Sequence, residues 1–290
     1  MSNSESGESA SVIQENSVDN QFRRVEKFEV AGGTAEVVDI HPPSPKSTVP
    51  VLLAPGWGCT IKTYETAIKT LAGCDRRVVA FNHPRIGNNM SATEAEIGKN
   101  YPTEQLRRAL NIIGVLEQKG IEKTDVIAHS DGAVNTVIAA TLYPEKFRNI
   151  VLFGPAGLMG KDNFIRLLIG FARQKEVTAT ALEEAKKYFA ENPVRAITEG
   201  RDLANSQIHN MLYDLHNKGI GIVVISGIDD PAFPMKRMQK IVKTGMPDGF
   251  LSVRGAHGEI GAHPGLYMRA AEEMLTKLEA KKAKKPVRSR

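Results

Sequence analysis

Cysteine, tryptophan and long apolar runs are all scarce in this 290-residue chain. The two cysteines, Cys59 and Cys74, form no CxxC pair and no metal-ligand spacing, which excludes a disulfide-stapled scaffold and indicates a reducing compartment. No apolar stretch approaches the roughly 20 residues that cross a bilayer, and the N-terminus lacks the basic and apolar regions of a signal peptide. We therefore expect a cytoplasmic protein without a transmembrane segment.

The formal net charge of +5 does not indicate a nucleic-acid-binding surface, because much of the charge is concentrated at the two ends. Residues 1–20 contain four acidic groups, no Lys or Arg and few apolar side chains, which predicts a disordered tail. Residues 281–290 form a basic tail without an aromatic residue on which a base could stack. We predict that this tail is solvated and that the protein has no specific nucleic-acid partner.

Between the tails, short apolar stretches alternate with helical patterns. Two β-rich stretches flank a Gly-Gly pair, which is typical of a hairpin, and further strands follow at short spacing. The predicted strands are Arg24–Val30, Thr34–Ile40, Val49–Ala54, Arg77–Phe81, Asp125–His129, Ile150–Phe153, Ile220–Ser226 and Gly249–Val253. This order predicts an α/β fold with a mostly parallel sheet flanked by helices.

The alternation stops over residues 155–217, where every apolar pattern has helical spacing. We interpret this stretch as a helical cap inserted into a core formed by residues 21–154 and 218–280. One cap helix, FIRLLIGFARQ, is predicted to place four apolar side chains on one face, either lining a pocket or packing the cap onto the sheet: Phe164, Leu167, Leu168 and Phe171. Such a cap is expected to move against the core.

The strand Asp125–His129 is followed at once by Ser130, Asp131 and Gly132 and then by a helix. Small residues on both sides of the serine, Ala128 and Gly132, are typical of the sharp strand-to-helix turn called the nucleophile elbow. Ser130 would lie at the carboxyl end of its strand, where α/β sheets bind ligands and where the N-terminus of the next helix directs its N–H groups.

The sequence AHSDGA resembles the elbow of the α/β-hydrolase superfamily, and the resemblance extends from Phe22 to Leu278. In that family the elbow serine is followed along the chain by an acid and then a histidine. GIDDPAFP is similar to the acid loop and implies Asp230 in that role, with Asp229 as the alternative. RGAHG is similar to the loop after the last strand and implies His257, with His263 as the alternative.

The same resemblance implies an oxyanion hole built from two backbone N–H groups. One is that of Asp131, directly after the nucleophile, and the other is that of Trp57, in a PGWG loop where many relatives have His in place of Pro55. The S-D pair is also similar to that of relatives that act on amino-acid esters, in which the aspartate side chain binds an ammonium group. His129, before the serine, is interpreted as a packed residue behind the site.

The chemistry follows from the residue types. Serine is a weak nucleophile unless a neutral imidazole accepts its proton, and a carboxylate fixes the orientation of that imidazole. We therefore predict a serine hydrolase that cleaves a carboxylic ester or related acyl compound, a small-molecule substrate, without cofactor or metal. Perhydrolysis and carbon–carbon bond cleavage are alternatives within the family, and a non-catalytic ligand-binding protein is the alternative from another class.

Overall fold

The computed structural model describes residues 23–84, 90–174, 176–242 and 248–283, so the predicted N-terminal tail lies outside the described residues. Eight strands form one sheet in the order β1-β2-β4-β3-β5-β6-β7-β8, and all neighbours are parallel except β1 with β2 and β2 with β4. The strands are β1 (Arg23–Val30), β2 (Gly33–Ile40), β3 (Val51–Ala54), β4 (Val78–Asn82), β5 (Thr124–His129), β6 (Phe147–Phe153), β7 (Gly221–Gly227) and β8 (Gly249–Val253). The predicted hairpin and mostly parallel sheet are confirmed.

Helices cover both faces of this sheet. They are α1 (Glu65–Ala72), α2 (Ala92–Ile97), α3 (Thr103–Gln118), α4 (Asp131–Leu142), α5 (Phe164–Ala172), α6 (Ala179–Glu191), α7 (Pro193–Asn205), α8 (His209–Asn217), α9 (Met235–Val242), α10 (Glu259–Ala262) and α11 (Pro264–Ala283). Strand side chains alternate between the two faces, so that Leu52 and Val126 are buried with α3 and α4, while Leu53 and Ile127 are buried with α1 and α11. Strands buried on both faces explain the continuous apolar runs.

Four helices, α5 to α8, separate β6 from β7. Helix α6 contacts the single helical turn Ile61–Tyr64, and α7 contacts α3, so both lie near the loops that follow β3 and β4. Helix α8 instead packs against α4 and β7, with Leu212 and Leu215 buried in the core. The bounds of the cap, residues 155–217, stay a prediction, and α8 is the part of this stretch that packs on the sheet domain. An amphipathic helix over a sheet has the same apolar spacing as one in a cap.

The start of α3 is capped by a residue from a distant helix. Pro102 occupies the cap position in extended backbone, and Thr103 is the first helical residue. The carboxylate of Asp202, in α7, accepts a hydrogen bond from the Glu104 N–H at 3.0 Å. A helix end capped by a residue about a hundred positions away cannot be recognised from its local sequence.

Helix α11 continues to Ala283, past the predicted start of the basic tail at residue 281. Lys281 Nζ lies 2.5 Å from the carboxylate of Asp248, and Lys282 Nζ donates to the carbonyl of Arg148 at 2.5 Å. These two lysines therefore belong to the folded body rather than to a solvated tail. No helix within the described ranges is long and apolar enough to span a membrane.

Candidate active site

Ser130 lies on a strained turn between β5 and α4. Its backbone has φ 56° and ψ −117°, a conformation that costs an L-residue about 1–3 kcal/mol. The turn is anchored because the Ser130 N–H donates to the Phe153 carbonyl at 2.9 Å. A Cβ on Gly132 would approach the Ala54 carbonyl oxygen to 2.5 Å, so this position requires glycine. Both features agree with the sharp elbow that the sequence predicts.

His257 and Asp230 form a buried pair at the carboxyl end of the sheet. His257 Nδ1 lies 2.8 Å from Asp230 Oδ2, and the N–H groups of Ala232 and Phe233 each donate to Asp230 Oδ1 at 2.8 Å. Burial alone would raise the pKa of Asp230, but the charge and hydrogen bond of His257 and the two N–H donors lower it. The carboxylate is thus held ionised, in the orientation that keeps the Nδ1 proton on the imidazole.

The alternative residues lie elsewhere. Asp229 is exposed, and its N–H bonds the Gly255 carbonyl at 3.1 Å, whereas the neighbouring Asp230 is buried. His263 has a side chain 64% exposed beside Glu259, on the surface. The geometry therefore favours Asp230 and His257 over these alternatives, as the motif spacing does.

Ser130 and His257 both contact the end of β6 and the residue that follows it. The Ser130 N–H bonds Phe153, and the next residue, Gly154, packs so closely that a Cβ there would lie 2.8 Å from His257 Nδ1 and 3.3 Å from Asp230 Oδ2. His257 Nε2 is buried and has no hydrogen-bond partner among the described residues. Within the described residues, that nitrogen is not hydrogen-bonded to Ser130 Oγ or to any other atom.

The loop after β3 approaches Ser130 from the other side. Gly56 is 3.2 Å from Ser130 Cβ, measured from the Cβ that glycine lacks, and its own N–H donates to Tyr64 Oη at 3.1 Å. The Gly56 N–H is therefore already engaged and cannot also bind an oxyanion. This favours the next N–H along the loop, that of Trp57, as sequence reasoning proposes.

The Asp131 side chain does not face the site as a free carboxylate. It is buried and ion-paired with Arg108 Nη1, and Asn135 donates to it at 3.2 Å. Binding of a substrate ammonium group, which the S-D pair suggested, would need a carboxylate without this cation, so that interpretation is not supported. The backbone N–H of Asp131, the group assigned to the oxyanion hole, is unaffected by the pairing.

A buried ionic network behind α4 was missed by sequence reasoning. Arg108 also reaches Glu199 of α7 at 3.3 Å and Tyr188 of α6 at 2.9 Å, and Arg107 contacts the same glutamate at 3.0 Å. Charged side chains in an amphipathic helix are normally assigned to the solvent face, which hides such a network. It connects the cap helices to α3 and to the helix that begins after Ser130.

Aromatic rings cover the His257 imidazole. The Phe233 and Phe171 ring centres lie 4.9 and 5.6 Å from that of His257, and Trp57 lies 6.0 Å from Phe171. Ser130 itself is only 3% exposed. The site is therefore enclosed by apolar rings from the cap and from the loops after β3 and β7.

Helix α5 presents a narrower face to this site than the sequence predicts. Phe171 contacts the site and Leu167 is buried, but Leu168 is 39% exposed. The prediction for Leu168 is wrong. This side chain lies on the exposed face of α5 together with Ile165 and Ile169, although all three are apolar. Apolar character on every side of a helix removes the periodicity from which a buried face is recognised.

One cluster of potential metal ligands lies beside the site. Ligand atoms of Glu176, Glu259 and His263 are all within 4.8 Å of one another, with two of the three side chains exposed. Exposed carboxylates of this kind are common without an ion, so the cluster does not assign a metal role. The expectation that neither metal nor cofactor takes part stays a prediction.

Comparison with known proteins agrees with the observed fold. Residues 49–188 match the model of the α/β-hydrolase fold family. Among solved structures, a carboxylesterase of Bacillus subtilis is 12% identical with a TM-score of 0.63, covering 87% of this chain and 91% of that one. A structure reported for carboxylesterases of Nitrososphaera gargenis is 18% identical with a TM-score of 0.64, covering 89% and 97%.

A serine hydrolase of Cycloclasticus zankles is 14% identical with a TM-score of 0.63, covering 88% of this chain and 98% of that one. A search of the curated proteins finds no sequence match. The sheet order, the elbow and the family match lead to one assignment: this chain has the α/β-hydrolase fold.

Proposed function

We propose that the protein is a serine hydrolase that cleaves a carboxylic ester or a related small acyl compound. The observation that carries the proposal is the buried His257–Asp230 pair, which lies at the same carboxyl end of the parallel strands as the strained Ser130 turn. The hydrolase fold is shared with the structural neighbours, several of which are described as esterases. Their substrates remain properties of those proteins.

In the proposed reaction, His257 Nε2 takes the hydroxyl proton while Ser130 Oγ attacks the acyl carbonyl carbon. The developing oxyanion is stabilised by the backbone N–H groups of Trp57 and Asp131. His257 returns the proton to the leaving alcohol, and a water molecule then releases the acid by the same steps. Asp230 keeps its charge throughout and stabilises the imidazolium.

The enclosure of the site favours an apolar acyl group. Phe171 and Phe233 contact the imidazole, and Trp57 packs on Phe171, so the surfaces nearest to Ser130 offer ring faces rather than charges. Because these rings surround the proposed base, we propose a neutral acyl substrate. A cytoplasmic location stays a prediction from the sequence.

The proposal is tested with Ser130→Ala, His257→Ala and Asp230→Asn against a panel of p-nitrophenyl esters of increasing chain length. Each variant should lower kcat on the order of 10³-fold or more while the folded state persists. Asp229→Asn is the matched control for the acid, since it removes a neighbouring exposed carboxylate. A fluorophosphonate probe should label the wild type at Ser130 and not Ser130→Ala.

Near-normal turnover in Asp230→Asn together with collapse in Asp229→Asn would move the acid role to Asp229. A wild-type protein that hydrolyses no ester and never reacts with the fluorophosphonate would instead indicate a non-catalytic binding protein.

A further inference from the structure

A continuous chain of buried hydrogen bonds runs behind Ser130, from the loop after β3 to the loop after β8. The Gly56 N–H donates to Tyr64 Oη at 3.1 Å, and that oxygen lies 2.7 Å from His129 Nδ1. His129 Nε2 in turn lies 3.1 Å from the carbonyl oxygen of His257. All members of the chain are buried, so no solvent competes for these bonds.

The positions of the protons follow from the end of the chain. The His257 carbonyl oxygen can only accept, so His129 Nε2 carries a proton. Burial, followed by the neighbouring His257, lowers the pKa of His129 to about 3, so the ring is neutral at ordinary pH and Nδ1 has no proton. The Tyr64 hydroxyl must therefore donate to Nδ1. Burial raises the pKa of Tyr64 well above its usual value, so this hydroxyl keeps its proton.

The chain thus has one direction, from the Gly56 N–H to the His257 carbonyl, and each member satisfies the next. The packing at Gly56 is tight: a Cβ there would lie 3.1 Å from His129 Nδ1 and 3.3 Å from Tyr64 Oη. The His129 ring also lies against the His257 ring, with centres 4.6 Å apart. Tyr64 and His129 place polar atoms in space that apolar side chains could fill. Each of these buried polar atoms therefore needs a hydrogen-bond partner.

The two ends of this chain are the two backbone segments whose positions acyl transfer needs. One precedes the proposed oxyanion donor Trp57, and the other is the main chain of the proposed base His257. Resting on the proposed function, we propose that Tyr64 and His129 are positioning residues. They hold the loop that carries Trp57 and the loop that carries His257 at the spacing that the reaction at Ser130 needs. Neither side chain touches the substrate.

This assignment is tested with Tyr64→Phe, which removes one hydroxyl, and with His129→Gln and His129→Leu. Tyr64→Phe should lower kcat on the order of 10-fold or more, with KM changed less than about threefold, because the loss is one of transition-state alignment. The Gln side chain can still donate to the His257 carbonyl, so His129→Gln should keep more kcat than His129→Leu. Thr124→Val is the matched control, since it removes a buried hydroxyl that bonds the Pro50 carbonyl at 3.0 Å, at the amino-terminal end of β5, opposite to Ser130.

A readout independent of activity uses ring-¹⁵N-labelled histidine. In the wild type His129 should show an unprotonated Nδ1 and a protonated Nε2 from about pH 5 to pH 8, the range in which an unperturbed histidine titrates. In Tyr64→Phe the proton should stay on Nε2, because the His257 carbonyl still accepts it, while the Nδ1 resonance should move as that nitrogen loses its hydrogen-bond donor. The measurement needs no substrate, so it separates failure of the hydrogen-bond chain from failure of the proposed function.

Three outcomes would overturn the assignment. A His129 ring that carries its proton on Nδ1 in the wild type would contradict the chain itself, whether or not the protein hydrolyses esters. Tyr64→Phe and His129→Leu proteins that keep wild-type kcat, with stability losses like that of Thr124→Val, would reduce both residues to core packing. An inactive wild type with the expected tautomer would instead refute ester hydrolysis and with it the positioning role.

Discussion

Arg108 is the centre of the buried ionic network, and Arg108→Met is expected to destabilise the protein strongly. Its side chain is 2% exposed, and its partners Asp131 and Glu199 are each 1% exposed. Removing the cation leaves two carboxylates in the interior, and breaking a buried pair in this way costs about 3–5 kcal/mol. Urea denaturation at pH 7 should show this loss in the free energy of unfolding.

The loss should be partly recovered when a carboxylate is removed as well. Arg108→Met/Asp131→Asn should unfold with a free energy about 1–3 kcal/mol higher than additivity of the two single variants predicts. Arg237→Met is the matched control, because this guanidinium is 60% exposed and lies 4.0 Å from Asp162, so its loss should cost about 0.5 kcal/mol or less.

The pH dependence gives a second check. Burial raises the pKa of Glu199 against the attraction of Arg108 and then Arg107. Without Arg108 that pKa rises further, and a carboxyl with a raised folded-state pKa destabilises the fold increasingly as the pH climbs above its unfolded-state pKa. The deficit of Arg108→Met relative to wild type should therefore shrink as the pH falls from about 7 towards 5. A loss below about 1 kcal/mol at pH 7, or a deficit independent of pH, would refute the reasoning.

Three further results are expected. Gly154→Ala should lower kcat at least about 10²-fold in an ester assay, because the added Cβ would displace the His257 imidazole. Gly160→Ala is the control and should keep kcat, since Gly160 is also at positive φ but its added Cβ would meet no atom within 4 Å. Equal effects of the two substitutions would contradict this contact argument. The pKa of Asp39 is lowered to about 2 by two cations that outweigh its burial, so Asp39→Asn should lose ~2 kcal/mol at pH 7, a difference that vanishes as acid protonates the wild-type carboxylate between about pH 4 and pH 2. Truncation after Ala283 should leave the thermal midpoint unchanged, whereas truncation after Ala280, which removes two bonded lysines, should lower it measurably.

The sheet and the elbow could be predicted from sequence because their signals are local. A strand buried on both faces is a continuous apolar run, and the turn at Ser130 requires small neighbours such as Gly132. The motif spacing also distinguishes Asp230 from Asp229 in agreement with the burial of the two side chains. The oxyanion and triad roles themselves stay predictions until the variants are assayed.

The features that the sequence does not predict depend on contacts between distant segments. The pairing of Arg108 with Glu199, the capping of α3 by Asp202 and the bonds of Lys281 each join residues far apart in the chain. Single-sequence patterns indicate which side chains are apolar, but not which charged side chains find a buried partner. Leu168 is the converse case, in which an apolar side chain stays 39% exposed.

The enclosure of Ser130 has a consequence for substrate affinity. Because that residue is 3% exposed and Trp57 packs on Phe171 in the enclosure, we expect an acyl group to bind only those molecules in which the enclosure has opened. The apparent dissociation constant is then the intrinsic one divided by the fraction of open molecules, so a population open about 1% of the time binds about a hundredfold more weakly than its contacts would allow. A substitution that loosens the rings would tighten substrate binding without adding a single contact to the substrate.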